Sequence, residues 1–364
     1  MTQPNKAGFF GLGLAPALLE TLQRLNFTTP TPIQAKAIPI AVDGKDVIGI
    51  AQTGTGKTLA FGLQMMQRIS VVRGQGLILL PTRELAIQVE ETFQKFARHH
   101  GLRTAVIIGG ASMHMQVQAL KNKPHVIIAT PGRLNDHLQQ GTANLHAVKV
   151  LVLDEADRML DMGFQPQIQR IVSKLSHERQ TMLFSATMAP EIVSLAQRFM
   201  RLPVQIEVAP QGTAAEKVEH EVFMVPKDQK SALLQKLLQE YRGTILVFTR
   251  TKFAAKRLTK AARIWGHGAA ELHSDRSLAQ RREAMAGFKN GAYRVLVATD
   301  IAARGIDVTN IELVINYDLP TQPEDYVHRI GRTARAGRQG KAISFVQPDQ
   351  KRELFDIERL IRTR

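Results

Sequence analysis

The sequence predicts an α/β protein of two tandem domains, each a mainly parallel sheet flanked by helices. Three observations predict it. Short apolar runs alternate with helical stretches from one end of the chain to the other. At 364 residues the chain exceeds what a single core usually supports. Midway, Ala209-Pro210-Gln211-Gly212-Thr213-Ala214-Ala215 is small, turn-prone and weakly apolar. Residues 209–217 are therefore expected to link a domain over 1–208 to one over 218–364.

In the first half, apolar runs at 47–50, 77–80, 105–108, 126–129, 150–153 and 181–184 read as strands. Helical patterns lie between them, including 84–99, and another follows at 190–200. The second half repeats the rhythm with strands at 245–248, 269–272, 295–298, 313–316 and 342–346. Residues 252–264 and 279–289 read as the intervening helices. There is no short-period repeat and no low-complexity segment.

Apolar content of 44% and a charged fraction of 22% describe a globular protein rather than a disordered one. No apolar run approaches the roughly 18 residues that span a bilayer, so no membrane association is expected. The segment from Met1 to Lys6 lacks the pattern of a secretory signal. With no cysteine, disulfides and thiolate metal sites are excluded, and a reducing cytoplasm is compatible. A cytoplasmic monomer is the expectation. The net charge of +16 points to a polyanionic partner. Split after residue 208, the chain carries 21 basic and 14 acidic residues, then 27 and 18, which makes the halves +7 and +9. The charge is thus spread, as expected if both domains touch one strand. On charge alone a solvated basic surface stays open.

Three clusters carry chemistry. Val150-Leu151-Val152-Leu153 suits a strand buried on both faces, and Asp154-Glu155-Ala156-Asp157 follows it directly. Carboxylates at that carboxyl edge stand where open α/β sheets bind ligands, and they need a cation, an arginine or water. Upstream, Ala51-Gln52-Thr53-Gly54-Thr55-Gly56-Lys57-Thr58 lies between a strand and an apolar helix, the setting of a phosphate loop. Backbone amides of Thr53, Gly54, Thr55 and Gly56 would cradle phosphates, Lys57 would meet the β- and γ-phosphates, and Thr58 would hold magnesium. The general pattern expects glycine where Ala51 stands, and a plain glycine-rich turn explains everything except the Lys-Thr ending. Gly8-Phe9-Phe10-Gly11-Leu12-Gly13 follows no strand and is not a dinucleotide site. Asp154 is placed to hold magnesium, through water, and Glu155 to orient or deprotonate the attacking water. The third cluster, His328-Arg329-Ile330-Gly331-Arg332-Thr333-Ala334-Arg335-Ala336-Gly337-Arg338, packs four arginines and a histidine together. In a helix Arg329 and Arg332 would share a face, which suits a γ-phosphate. By itself the cluster equally suits a nucleic-acid patch.

Further motifs stand around these in a fixed order. They are Phe9, Pro30-Thr31-Pro32-Ile33-Gln34, the phosphate loop, Pro81-Thr82-Arg83-Glu84-Leu85-Ala86, Gly109-Gly110, Thr130-Pro131-Gly132-Arg133, the acidic cluster, Ser185-Ala186-Thr187, Val247-Phe248-Thr249, Ala302-Ala303-Arg304-Gly305-Ile306-Asp307 and the arginine cluster. With this set the chain resembles the DEAD-box ATP-dependent RNA helicases over essentially its whole length, and DEADRMLDMGF from Asp154 resembles their bacterial RhlE-like branch.

The resemblance implies two tandem RecA-like domains with ATP between them and RNA across both. It implies that Phe9 stacks on adenine, that Gln34 reads the adenine edge, and that Gly305 and Asp307 meet the nucleotide from the second domain. Arg329 and Arg332 become arginine fingers. Asp157, Ser185, Thr187 and His328 couple the nucleotide to the RNA. The implied RNA contacts are Thr82, Arg83, Gly110, Thr130 and Arg133 in the first domain, and Arg250, Arg276 and Thr299 in the second. Hydroxyls, amides and arginines on phosphate and sugar predict sequence-tolerant, salt-sensitive binding. Leu278, Ser274 and Ala334 depart from the usual glutamine, glycine and glycine, which bears on RNA affinity rather than on nucleotide chemistry. The expected activity is RNA-stimulated ATP hydrolysis with local strand separation. An ATP-gated RNA clamp or RNP-remodelling factor with little net unwinding is the alternative, and a DNA-directed motor is a third reading.

Overall fold

The computed structural model describes residues 8–52, 54–208, 218–303, 308, 311–333 and 340–361. Chain contacts divide it into two compact units, Met1–Gln211 and Gly212–Arg364. The expected linker, 209–217, lies outside the described residues.

The first unit is built on seven strands: β1 (Val47–Ile50), β2 (Gln75–Leu79), β3 (Thr104–Ile107), β4 (Val126–Ala129), β5 (Val148–Leu153), β6 (Gln180–Ser185) and β7 (Val204–Glu207). They lie in the order β3-β4-β2-β5-β6-β1-β7, every pair parallel. Central strands such as β1, β4 and β6 are buried along their full length, because helices cover both faces. One face packs on Leu134, Ile168, Ile171, Ile192 and Leu195 from the helices Pro131–Gln139, Gln165–Val172 and Pro190–Phe199.

The second unit holds β8 (Val218–Met224), β9 (Thr244–Thr249), β10 (Ala269–Leu272), β11 (Val295–Thr299), β12 (Ile311–Asn316) and β13 (Gly340–Val346). Their order is β10-β11-β9-β12-β13-β8, again parallel throughout. Two apolar clusters cover its faces: one includes Phe248, Phe288 and Ile330, the other Leu237, Leu258 and Phe345. Two tandem parallel-sheet domains are thus present, as the alternation predicts. The edge strands β7 and β8 are additions to the expected set, and both are largely exposed. Among the described residues no helix is long and apolar enough to cross a membrane.

Candidate functional site

Strand order sorts the motifs of the first unit along one sheet edge. The phosphate loop, the acidic cluster and Ser185-Ala186-Thr187 follow β1, β5 and β6, three neighbours in the order β5-β6-β1. Thr82-Arg83, Gly109-Gly110 and Thr130-Arg133 follow β2, β3 and β4, the neighbouring trio β3-β4-β2. One carboxyl edge therefore carries two adjacent groups, in the crevice region where parallel sheets bind ligands.

The loop after β1 turns through Gly54 (φ 86°) and Gly56 (φ 91°), left-handed conformations that favour glycine. Gly56 caps the helix Lys57–Val72, and a side chain at Gly56 would collide with Gln34. The Gln34 amide explains why: its Oε1 accepts from Thr31 N (2.9 Å) and its Nε2 donates to Gly56 O (3.0 Å). Gln34 thus ties the segment before the first strand to the phosphate loop. Thr55 Oγ1 donates to Gln52 O (2.8 Å), and Ala51 N donates to Ser185 O (2.9 Å), which fixes the loop to β6. Lys57 is buried. Its Nζ donates to Ala51 O (3.1 Å) and stands 3.8 Å from Asp154 Oδ1.

Asp154 is buried at the end of β5, held by Asp154 N donating to Leu79 O, and its Oδ1 accepts from Glu155 N (3.0 Å). Burial pushes its carboxyl up to about 6; Lys57 pulls it down and Glu155 pushes it up. A carboxylate so incompletely compensated by one ammonium suits a hard divalent cation, and Thr58, in the first turn of the following helix, could add a hydroxyl. Among the described residues no three His, Cys, Asp or Glu side chains gather as a metal cage. A magnesium ion sharing these two groups with phosphate oxygens is compatible with that, since magnesium rarely uses an all-protein cage.

Glu155 sits in the left-handed region at φ 50°, unusual for a glutamate, and is buried. Arg158 Nε lies 3.4 Å from its Oε2. Asp157 Oδ2 accepts from Ala186 N (2.9 Å), while Ser185 Oγ accepts from Thr187 N (3.3 Å). The link between the acidic cluster and the Ser-Ala-Thr segment is therefore a carboxylate on the Ala186 amide.

In the neighbouring group, Thr82 and Thr130 precede the helices Arg83–Ala97 and Pro131–Gln139, and Thr82 Oγ1 accepts from Leu85 N (3.3 Å). The Arg83 guanidinium lies where side chains at Gly109 or Gly110 would stand, and Gly110 has φ 77°. Arg133 Nη1 donates to Ala111 O (3.0 Å). All five expected residues thus share one edge.

Phe9 is 4% exposed, whereas Phe10 beside it is exposed. Thr53, Gly305 and Asp307 lie outside the described residues.

In the second unit Arg276, Thr299 and Arg250 follow or end β10, β11 and β9, three adjacent strands. Arg250 N donates to Asp318 Oδ2 (3.0 Å) and its Nη2 to Leu319 O (3.3 Å), and Arg276 Nη1 is 3.3 Å from Glu271 Oε1. Arg329 is engaged within the second unit. Only 2% exposed, it donates Nε to Asp300 Oδ1 (2.6 Å), Nη2 to Asp300 Oδ2 (2.8 Å), and Nη1 to Asn316 Oδ1 (3.1 Å) and Asp318 O (2.6 Å). It also lies over the Phe248 ring. Four of its five N–H groups bond acceptors inside the unit, and Arg332 is buried to the same 2%. Arg329 and Arg332 do not share a helical face: the helix Pro323–Ile330 ends first, and Arg332 sits in the following turn with Nε donating to His328 O (3.3 Å). His328 is half-buried in the last turn of that helix. Sequence reasoning missed Asp300, Asn316 and Asp318; each ends or follows an apolar run, a signal for position but not for partner.

Two family models match, DEAD/DEAH box helicase over residues 31–195 and Helicase conserved C-terminal domain over 229–337. The chain is 43% identical to the ATP-dependent rRNA helicase RRP3 of Debaryomyces hansenii, over 97% of this chain and 74% of that one. It is 44% identical to the DEAD-box ATP-dependent RNA helicase CshA of Geobacillus kaustophilus, over 96% and 76% respectively. Among solved structures it is similar to S. cerevisiae Dbp5 bound to RNA and ADP BeF3, with a TM-score of 0.88, 32% identity and coverage of 98% and 94%. Mss116p bound to ssRNA and AMP-PNP gives a TM-score of 0.89 at 26% identity, covering 99% of this chain and 78% of that one.

Proposed function

Because the chain belongs to the DEAD/DEAH box helicases and is an ATP-dependent RNA helicase, we propose that the two halves of the first unit's sheet edge divide the work: β5-β6-β1 holds ATP and β3-β4-β2 holds RNA. The observation that carries this reading is the strand order, which sets the two groups side by side. Gly54, Gly56 and the helix that starts at Lys57 turn amides and a positive helix end toward the phosphates, and Lys57 supplies the ammonium. Thr58 and, through water, Asp154 would hold magnesium, which would neutralise charge on the β- and γ-phosphates. Glu155 orients the water that attacks the γ-phosphorus; the bond to the β,γ-bridging oxygen breaks and ADP leaves with that electron pair. Gln34 reads the adenine edge. Gly305 and Asp307 serve the ribose side.

Of the two arginines, Arg332 is the one proposed to stabilise the γ-phosphoryl charge, and Arg329 positions the segment that carries it. Asp157 reports the state of the nucleotide to Ser185 and Thr187 through the Ala186 amide, and His328 serves the same coupling from the second unit. Thr82, Arg83, Gly110, Thr130 and Arg133 take one stretch of RNA backbone, and Arg250, Arg276 and Thr299 another. Domains are proposed at 1–208 and 218–364, joined by 209–217. A monomer working in the cytoplasm is proposed as well, in keeping with the absence of cysteine. The test is Glu155→Gln. Binding of ATP and RNA is expected to persist while single-turnover hydrolysis falls roughly 10²- to 10⁴-fold. Hydrolysis at the wild-type rate removes Glu155 from the mechanism.

A further inference from the structure

The helix Lys252–Ile264 presents a face that the activity so far described does not use. Its sequence, KFAAKRLTKAARI, contains no carboxylate. Ala255, Leu258, Thr259 and Ala262 are buried against the second sheet. Opposite them, Phe253 (75% exposed), Lys256, Arg257, Lys260, Arg263 and Ile264 (73% exposed) face water. At 100° per residue these six fall within an arc of about 120°, and they run about 16 Å along the axis. Among the described residues neither Lys256 nor Lys260 makes an ion pair or hydrogen bond, so the ammonium charge is not neutralised locally.

The face begins where the expected RNA contacts end. Thr251, one residue after Arg250, caps the helix, and Lys252 Nζ bonds Asp275 Oδ1 (2.9 Å), beside Arg276. Phe253 thus stands at the carboxyl edge of β9 and β10, with the Lys252 ammonium 5.4 Å from its ring centre. From that edge the helix leads the cations away along the sheet.

We propose that this face is an auxiliary RNA surface: Phe253 stacks on a base leaving the core site, and Lys256 and Lys260 track the phosphates beyond it. Cations in a row with an aromatic at the entrance match the chemistry of single-strand binding, in which charge follows the backbone and stacking tolerates any base. The inference rests on the reading of Arg250, Arg276 and Thr299 as RNA contacts. An acidic polypeptide is the rival occupant. Continuity with the Arg250–Arg276 edge and the exposed ring favour RNA, because an acidic chain has no use for a stacking platform there.

The test is the full chain carrying Lys256→Ala and Lys260→Ala, with Lys256→Arg and Lys260→Arg as the charge-keeping control. Binding is titrated against salt, with a hairpin bearing a long single-stranded tail and with a short oligonucleotide. Each lost phosphate contact lowers the salt slope by about 0.7, so the pair removes about 1.4 and weakens tailed RNA on the order of tenfold near 0.1 M salt. The deficit is larger for tailed RNA than for the short oligonucleotide, and the arginine pair restores it. Phe253→Ala weakens tailed RNA without changing the slope, and Phe253→Trp does not. An unchanged slope and affinity for tailed RNA overturn the proposal. So does intact RNA binding with loss of binding to poly-glutamate. If Arg250→Ala and Arg276→Ala leave RNA binding intact while the lysine pair does not, the core reading fails and the helix surface stands.

Discussion

Replacing Arg329 with methionine separates the two roles an arginine in this cluster can play. The side chain is 2% exposed, and its partner Asp300 is 24% exposed. Removing one member of a fully buried pair costs about 3–5 kcal/mol, because the other charge is left without compensation. Water reaches Asp300 in part, which lowers that figure, while loss of the contact with Phe248, at 5.0 Å, adds to it. About 3 kcal/mol is the resulting estimate. For a unit running from Gly212 to Arg364 it corresponds to a drop in Tm of roughly 6–12 °C. The chain has a single tryptophan, Trp265, packed on the apolar cluster of the second unit, so its fluorescence follows that unit. Thermal unfolding of the full chain by this signal is the assay. Arg329→Lys keeps the charge but not the fork, and is expected to lose about half as much. Should Arg329→Met leave the Trp265 transition in place while RNA-stimulated hydrolysis vanishes, the arginine acts on substrate and the clamp is not its role.

Other outcomes are sharp. Arg332→Met is expected to cost roughly 10³-fold or more in RNA-stimulated kcat, and stimulated turnover at the wild-type rate would argue against a role on phosphate. Asp154 has its carboxyl raised from 3.8 to about 6, so between these values the folded chain holds more protons than the unfolded one. Stability of the nucleotide-free protein therefore falls as pH rises from about 4 to 6 and stays lower above, by at most about 3 kcal/mol. Asp154→Asn is expected to remove that fall while abolishing magnesium-dependent hydrolysis, and parallel pH–stability curves for the two proteins would refute it. Asp157→Asn keeps the size of the side chain but weakens its hold on Ala186 N, and is expected to uncouple RNA binding from hydrolysis: RNA affinity near normal, stimulation lost. Arg83→Ala is expected to lower the salt slope of RNA binding by about 0.7 across unrelated sequences, and a sequence-dependent effect would contradict backbone contact.

What the sequence makes legible follows from which physics is local. The strands β1, β4 and β6, buried throughout, and β5, buried except at Lys149, announce themselves as apolar runs because both faces are covered. The edge strands β7 and β8 escape, since polar residues such as Gln205, Glu207 and Glu219 face water and break the run. Val222, Phe223 and Met224 belong to a strand only because β13 pairs with it, a fact more than a hundred residues away. The phosphate loop is legible for the opposite reason: its glycines and the lysine answer to one strand–helix turn, and the structure gives Gly54 and Gly56 the left-handed backbone that the glycines imply.

Arg329 marks where residue identity stops carrying information. An arginine in a basic cluster has the same chemistry whether its fork closes on a phosphate or on a carboxylate of its own chain. The choice lies with Asp300, Asn316 and Asp318, which arrive from the ends of β11 and β12, neighbours of β9 on its two sides. With an acceptor on each side, the guanidinium closes the carboxyl edge over β9 and the Phe248 ring. The next arginine lies beyond the helix end, where Gly331 N donates to Val327 O and Arg332 N to Arg329 O. A rigid Arg329 therefore sets the direction in which the chain enters the turn at Arg332. That gives the buried ion pair beside Arg332 a structural reason: Arg329 fixes the backbone, so that the following turn has a defined position.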